Sequence, residues 1–257
     1  AVIPADAVRR IPADLDLVYW DYYHRERDFY VEWIERHRAM GKEPIMASGI
    51  WTWNRHWYDH PQTVATAGPC LEACLETKTR EIFFTQWGDN GAYCDHDSAF
   101  AGMAWCAERA YGTRAPSAAR LERIFKAVCG GSYAAHVLAG QLHDDTGGLH
   151  AAMWEDPIFE TQIRTHVKDC PRTLARVARR IERLAKRLKP HVSDRAAGDL
   201  AYAHATAQAF ADRYTLLAAL LGAYRAGNRR ALQAAARRVP QVRRSIAAMA
   251  VAFRAMW

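Results

Sequence analysis

Three short apolar runs, each followed by a stretch of helical spacing, constrain this chain more than any other feature. Leu15 to Trp20 is the first run, and His24 to Met40 follows with Phe29, Trp33, Ile34 and His37 at helical intervals, closed by Gly41 as a C-cap. Pro44 to Ile50 is the second. A loop from Trp53 to Gln62 then leads to a short helix near Pro69 to Lys78. Glu81 to Trp87 is the third, followed by a helix from Ser98 to Tyr111. Runs without alternation read as strands buried on both faces, as in parallel sheets. Repeated strand–helix units imply a parallel sheet, either doubly wound or closed as a barrel. No run is followed by a glycine fingerprint for phosphate, which argues against a nucleotide fold.

From Pro116 onward strand signals vanish. Leu121, Ile124, Phe125 and Val128 repeat at helical spacing, as do Leu174, Val177, Ile181, Leu184 and Leu188. Asp199 to Tyr224 is apolar on more than one side, as a central bundle helix is, and Gly227-Asn228 breaks it. A last helix runs from about Pro240 to the end. The expected division is an α/β unit over 1–113 and an all-α unit over 114–257, joined at Gly112 to Ser117. A chain of 257 residues, half of them hydrophobic, has the bulk for both.

The formal charge is +7, with the excess in the C-terminal half. Arginines opposite an apolar stripe, without interleaved aromatics, read as a solvated helix face in preference to a nucleic-acid surface. Six cysteines form no CxxC pair and fit reduced thiols in a cytoplasmic protein. No apolar run reaches the ~20 residues of a spanning helix. The chain starts at Ala1 without methionine and stops at Trp257 without a helix stop, so both termini are expected to continue in a longer protein.

Each run ends in a cluster of aromatic and polar residues. The first is Tyr19-Trp20-Asp21-Tyr22-Tyr23, where Asp21 either accepts ligand hydroxyls or caps the next helix. The second is Gly49 to Asn54, with Trp51 and Trp53; the third is Trp87-Gly88-Asp89-Asn90-Gly91, a loop between strand and helix. Aromatic rings stack on the C–H faces of sugars while carboxylates accept their hydroxyls, so the three clusters together outline a carbohydrate site. Cys94-Asp95-His96-Asp97 reads as a helix N-cap, not a metal site, and His143-Asp144-Asp145 likewise has neighbours that do not converge on one ion. His24, His37, His56 and His60 read as loop or surface residues.

Tyr19-Trp20-Asp21 resembles the Tyr-x-Asp motif of glycoside hydrolase family 20, the exo-β-N-acetylhexosaminidases, and Trp87-Gly88-Asp89 resembles their Trp-x-Glu motif with Asp for Glu. The strings LVYWDYY, ASGIWTW and TQWGDNGAYC are similar to the bacterial streptococcal-type branch, whose barrel is followed by a helical domain; WEDPIF, from Trp154 to Phe159, resembles part of that domain. The resemblance implies that 1–113 is the C-terminal part of a (β/α)8 TIM barrel, its last three βα units. It implies hydrolysis of terminal β-linked N-acetylhexosamine by a substrate-assisted, retaining mechanism. Tyr19 would then donate to the acetamido oxygen, Asp21 and Asp89 would accept ring hydroxyls, and Trp51, Trp53 and Trp87 would wall the sugar. The family's catalytic Asp-Glu pair has no counterpart, and Glu155-Asp156 is reversed and falls in the helical part. The isolated chain is therefore expected to be inactive. Expected partners are N-acetylhexosamine-terminated glycans, with no nucleic acid, membrane, cofactor or metal, and a homodimer as an option. The alternative is a non-catalytic carbohydrate-binding or interaction module, with an arginine-rich nucleic-acid binder third.

Overall fold

The computed structural model describes residues 4–89, 94–112, 115–143, 156, 170–194 and 199–256. Asn90, Gly91, Asp144, Asp145, Trp154, Glu155 and Phe159, singled out above, lie outside the described residues.

A single turn, α1 (Ala5–Val8), precedes β1 (Leu17–Trp20), α2 (Arg27–Ala39), β2 (Pro44–Gly49), α3 (His60–Thr77), β3 (Ile82–Thr85) and α4 (Phe100–Tyr111). The strands form one parallel sheet in the order β1-β2-β3. Trp20 lies opposite Ala47, Ala47 opposite Phe83, and Gly49 opposite Thr85. One face of the sheet packs on α2 and α3 through Tyr30, Ile34, Met46, Cys70, Ala73 and Cys74, with Tyr19 and Ile82 against them. The other face is largely open. Val18 is 43% exposed, Trp20 47% and Phe83 39%, so β1 and β3 are not buried on both faces as their composition suggested. Only the middle strand, β2, is covered over most of its length.

The second helix is longer than expected. It starts at His60 because Asp59 caps it, accepting from the Gln62 N–H at 3.1 Å, with Pro61 in the first turn where a missing N–H costs nothing. Pro69 therefore lies inside the helix and does not begin it. All six cysteines are free thiols.

Beyond residue 115, every regular element among the described residues is helical: α5 (Ala118–Cys129), α6 (Tyr133–Ala139), α7 (Cys170–Leu188), α8 (Leu200–Arg225), α9 (Arg229–Ala236) and α10 (Val239–Ala255). The eight-residue α9 carries no long apolar stripe and escaped the sequence reading. α8 is the axis of this part. Its apolar residues face several directions, so α7 packs along one side and α10 along another, where Tyr202 meets Phe253 at 5.7 Å. Among the described residues no helix is long and apolar enough to cross a membrane.

The largest core cluster runs across the boundary at 113/114. It takes in Ile50, Trp57, Tyr58 and Leu71 from the α/β unit and Leu121, Phe125, Leu174 and Phe210 from the helical part. A polar joint accompanies it. Asp95 caps the 3-10 turn before α4, accepting from the Asp97 N–H at 3.0 Å. Its second oxygen accepts from the Asp199 N–H at 2.6 Å, immediately before α8, while the Asp199 side chain caps α8 through the Tyr202 N–H. Burial raises the Asp95 pKa against these two backbone hydrogen bonds. Asp95→Ala strips the acceptor from both N–H groups and should destabilise the fold by about 1–3 kcal/mol in a urea titration. A cost below a few tenths would show that water replaces the carboxylate and the joint is not structural.

Candidate functional site

The C-terminal ends of the three strands converge on an aromatic cluster. The Trp51 and Trp53 rings stack with centroids 4.1 Å apart; Tyr22 packs on Trp53 at 5.1 Å and Tyr23 on Trp51 at 5.7 Å. Trp20 joins Trp87 at 5.8 Å and Tyr22 at 6.2 Å. Trp51 and Trp53 are buried and form the floor. Trp51 is fixed by hydrogen bonds to the α3 threonines, from its indole N–H to Thr66 Oγ1 and from its backbone N–H to Thr63 Oγ1, both 3.0 Å. Trp20, Tyr23 and Trp87 are exposed and offer open ring faces.

Polar contacts lock the cluster. The Trp87 indole N–H donates to Tyr22 Oη at 2.9 Å and to Thr85 Oγ1 at 3.1 Å. Because the Tyr22 oxygen accepts here, its own O–H can donate to a second partner. The buried Thr52 hydroxyl donates to the Trp87 carbonyl and accepts from the Trp87 N–H, tying the loops after β2 and β3 together. Gly49 permits this packing. A Cβ there would lie 2.6 Å from Trp53 Cη2 and 3.0 Å from Tyr22 Cδ1. Gly49→Ala should therefore cost about 1–3 kcal/mol by overpacking and reduce the near-UV circular dichroism of the stacked indoles. An unchanged spectrum and stability would mean that the rings are loosely held.

The structure brings Trp51, Trp53 and Trp87 together, but not Tyr19 or Asp21. Tyr19 points to the helix layer, where its ring stacks on Trp33 at 5.1 Å and 16° and meets His37 edge-on. Burial, with Asp21 nearby, pushes its pKa up, so it stays a neutral phenol. Alternation along β1 sends Tyr19 to one face and Trp20 to the other. The expected role of Tyr19 beside a sugar is corrected accordingly: the phenol on the aromatic side is Tyr22.

Asp21 is engaged as well. One carboxylate oxygen accepts from the backbone N–H groups of Tyr23 (2.9 Å) and His24 (3.1 Å) and shares the Tyr30 O–H (3.1 Å) with the His24 carbonyl (2.9 Å), and the other oxygen holds His24 Nδ1 at 2.8 Å. A carboxylate has about four acceptor sites. The side chain is 12% exposed, so the turn after β1 takes up most of the capacity expected for ligand hydroxyls. Asp21 caps this turn, while the N-cap position of α2 belongs to Glu26. The His24 ring lies flat on Phe29 at 3.5 Å.

Asp89 is exposed at the rim, its carbonyl accepting from the Asn54 N–H at 3.4 Å. Asp59 is committed to capping α3 and to Arg55, 2.9 Å away. Among the described residues no group of three or more His, Cys, Asp or Glu side chains is placed to hold a metal ion. Trp20, Tyr22 and Tyr23 were visible in the first motif but not assigned. Trp20 and Tyr22 lie on the side opposite Tyr19, a placement that the all-apolar β1 run does not mark in the sequence.

No model of a known protein family matches the chain, and no curated protein matches it.

The site can therefore be judged by its geometry alone. It presents stacked indoles, a phenol with a donor to spare and an exposed carboxylate at the rim. Groups of this kind suit a ligand that has both apolar C–H faces and hydroxyls.

Proposed function

We propose that the aromatic cluster seats the terminal N-acetylhexosamine of a β-linked glycan, and that the chain is the sugar-holding part of an exo-β-N-acetylhexosaminidase. One observation carries this reading: the ends of three adjacent parallel strands each contribute tryptophan to one partly open platform, cross-linked by the Trp87–Tyr22 hydrogen bond. The motif resemblance to glycoside hydrolase family 20 points the same way.

In this reading the three βα units belong to a (β/α)8 barrel. The open sheet face with Val18, Trp20 and Phe83 is the barrel's interior. A groove of about 750 Å³ runs beside β3, between α3 and α4, with Leu75, Phe83, Met103 and Tyr111 on its walls. It is the seat of an adjoining βα unit, which also pairs the free edge of β3.

Tyr22 takes the place first given to Tyr19. Its O–H donates to the acetamido oxygen and aims that atom at the anomeric carbon, while Trp87 and Trp20 hold the ring above the floor of Trp51 and Trp53. Asp89 accepts a hydroxyl far from the scissile bond. The chain has no Asp-Glu pair to protonate the leaving oxygen and orient the acetamido nitrogen. Loss of the acid costs about 10²–10⁴ in rate. The chain alone should therefore bind N-acetylglucosamine oligomers, seen as a change in tryptophan fluorescence, yet fail to hydrolyse an aryl β-N-acetylglucosaminide. Turnover by the chain alone, abolished in Asp89→Ala, would place the acid within these residues. Absence of any sugar response would favour the second reading, a non-catalytic interaction module, which the engaged Asp21 also favours.

A further inference from the structure

The charge pattern changes sharply along the chain. In the α/β unit, arginines meet carboxylates: Arg38 pairs with Glu43 at 2.8 Å, Arg55 with Asp59 at 2.9 Å and Arg109 with Glu72 at 3.2 Å. From Arg213 to Trp257 there are nine arginines and no aspartate, glutamate or lysine. Six of them gather on the α9–α10 pair: Arg229, Arg230, Arg237, Arg238, Arg243 and Arg244. All six are exposed. None meets a carboxylate among the described residues, and Arg244 contacts only Gln241, at 2.7 Å.

Within the chain this arrangement works against itself. Adjacent guanidiniums repel. Arg229 and Arg230 occupy the first turn of α9, and Arg238 is the N-cap of α10, positions where the helix dipole disfavours cations. A counter-charge from outside relieves both costs. Guanidinium forks match sulfate, phosphate and carboxylate in bidentate geometry. The segment from 226 to 252 contains no aromatic residue, so bases have nothing to stack on there. A sugar polymer with anionic groups needs no such platform.

The patch is joined to the loop after β3 through α8. The N-cap of α8, Asp199, is hydrogen-bonded to Asp95 in that loop. Gln241 of α10 contacts Asp212 further along α8, ~20 Å away at 1.5 Å per residue. We propose that the glycan is anionic, a hexosamine polymer bearing uronate or sulfate groups, and that its chain lies over the α9–α10 arginines. This inference rests on the hexosamine reading of the aromatic cluster.

The test is fluorescence anisotropy on the full chain with a labelled heparin dodecasaccharide, a heparin disaccharide and a 20-base-pair DNA duplex, beside tryptophan quenching by neutral chitohexaose. The variant is Arg237→Gln/Arg238→Gln/Arg243→Gln/Arg244→Gln, whose exposed substitutions are checked by circular dichroism. The dodecasaccharide should bind and lose about 100-fold in affinity between 50 and 200 mM salt, as for three to four released counterions. The disaccharide should bind far more weakly. The variant should lose at least about tenfold at 50 mM salt and show a flatter salt dependence, with its chitohexaose response unchanged. Equal dodecasaccharide affinity in variant and parent overturns the proposal, and so does duplex DNA that binds as tightly as the dodecasaccharide at the same salt. Dodecasaccharide binding lost in the variant, with no chitohexaose response in either protein, upholds the arginine surface and overturns the hexosamine seat.

Discussion

Trp57→Ala should destabilise the protein by about 3–5 kcal/mol, among the largest losses a single side chain here can cause. Trp57 is fully buried in the loop between β2 and α3, and its indole N–H donates to the His136 carbonyl of α6 at 2.8 Å. Its ring also lies 5.8 Å from the His136 ring, so one side chain joins the α/β unit to the helical part by packing and by a hydrogen bond. Alanine leaves a cavity at the junction of the core and a carbonyl without its donor. At about 2–4 °C per kcal/mol for a chain of this size, the melting temperature should drop by roughly 6–20 °C. Trp57→Phe keeps one ring but loses the N–H and three ring atoms, so it should cost less, about 1–3 kcal/mol. Urea titrations of both variants measure the two losses. Similar small losses in both would mean that the junction is not packed as described.

The second large effect concerns binding. Trp20→Ala combined with Trp87→Ala should weaken the response to N-acetylglucosamine oligomers by about 100-fold. Each open ring face contributes its buried area and about 0.5–1.5 kcal/mol of ring geometry, and 1.4 kcal/mol is a factor of ten. Both rings are already exposed, so the fold should change little. Trp20→Ala/Trp87→Ala binding the oligomers as tightly as the parent would remove these two rings from the sugar site. Isothermal titration calorimetry, which does not depend on the indole signal, is the measurement to use.

The three strands and their parallel order were legible because their apolar runs lie between helical stretches, and a parallel sheet is the economical way to connect such units. Which way each side chain faces was not. Leu17-Val18-Tyr19-Trp20 is apolar at every position, so alternation leaves no mark on the sequence, and a shift of one residue exchanges the two faces. Tyr19 was placed beside the sugar by the Tyr-x-Asp resemblance, and the apolar run carries no mark that Tyr22, not Tyr19, shares the side of the tryptophans. The start of α3 had a readable signal in Asp59-His60-Pro61, an N-cap followed by a first-turn proline, which the expected start near Pro69 left out. The capping alternative for Asp21 was open from the start. The groups that close around its carboxylate are two backbone N–H groups, a ring nitrogen and a hydroxyl nine residues on, which no pattern in the sequence marks.

The hydrogen bond from the Asp199 amide to Asp95 spans 104 residues. It therefore forms only when the loop after β3 and the start of α8 have found one another. Doubling such a separation adds only about 0.6 kcal/mol to the entropy of closure, so distance in sequence is no obstacle to the bond, but it does delay it behind the local turns of α8. The Asp199 amide proton thus acts as a built-in clock for assembly. In pulse-labelling hydrogen exchange it should gain protection later than amides in the middle of α8, and its rate in the native protein should track separation of the two parts, independently of fraying within the helix.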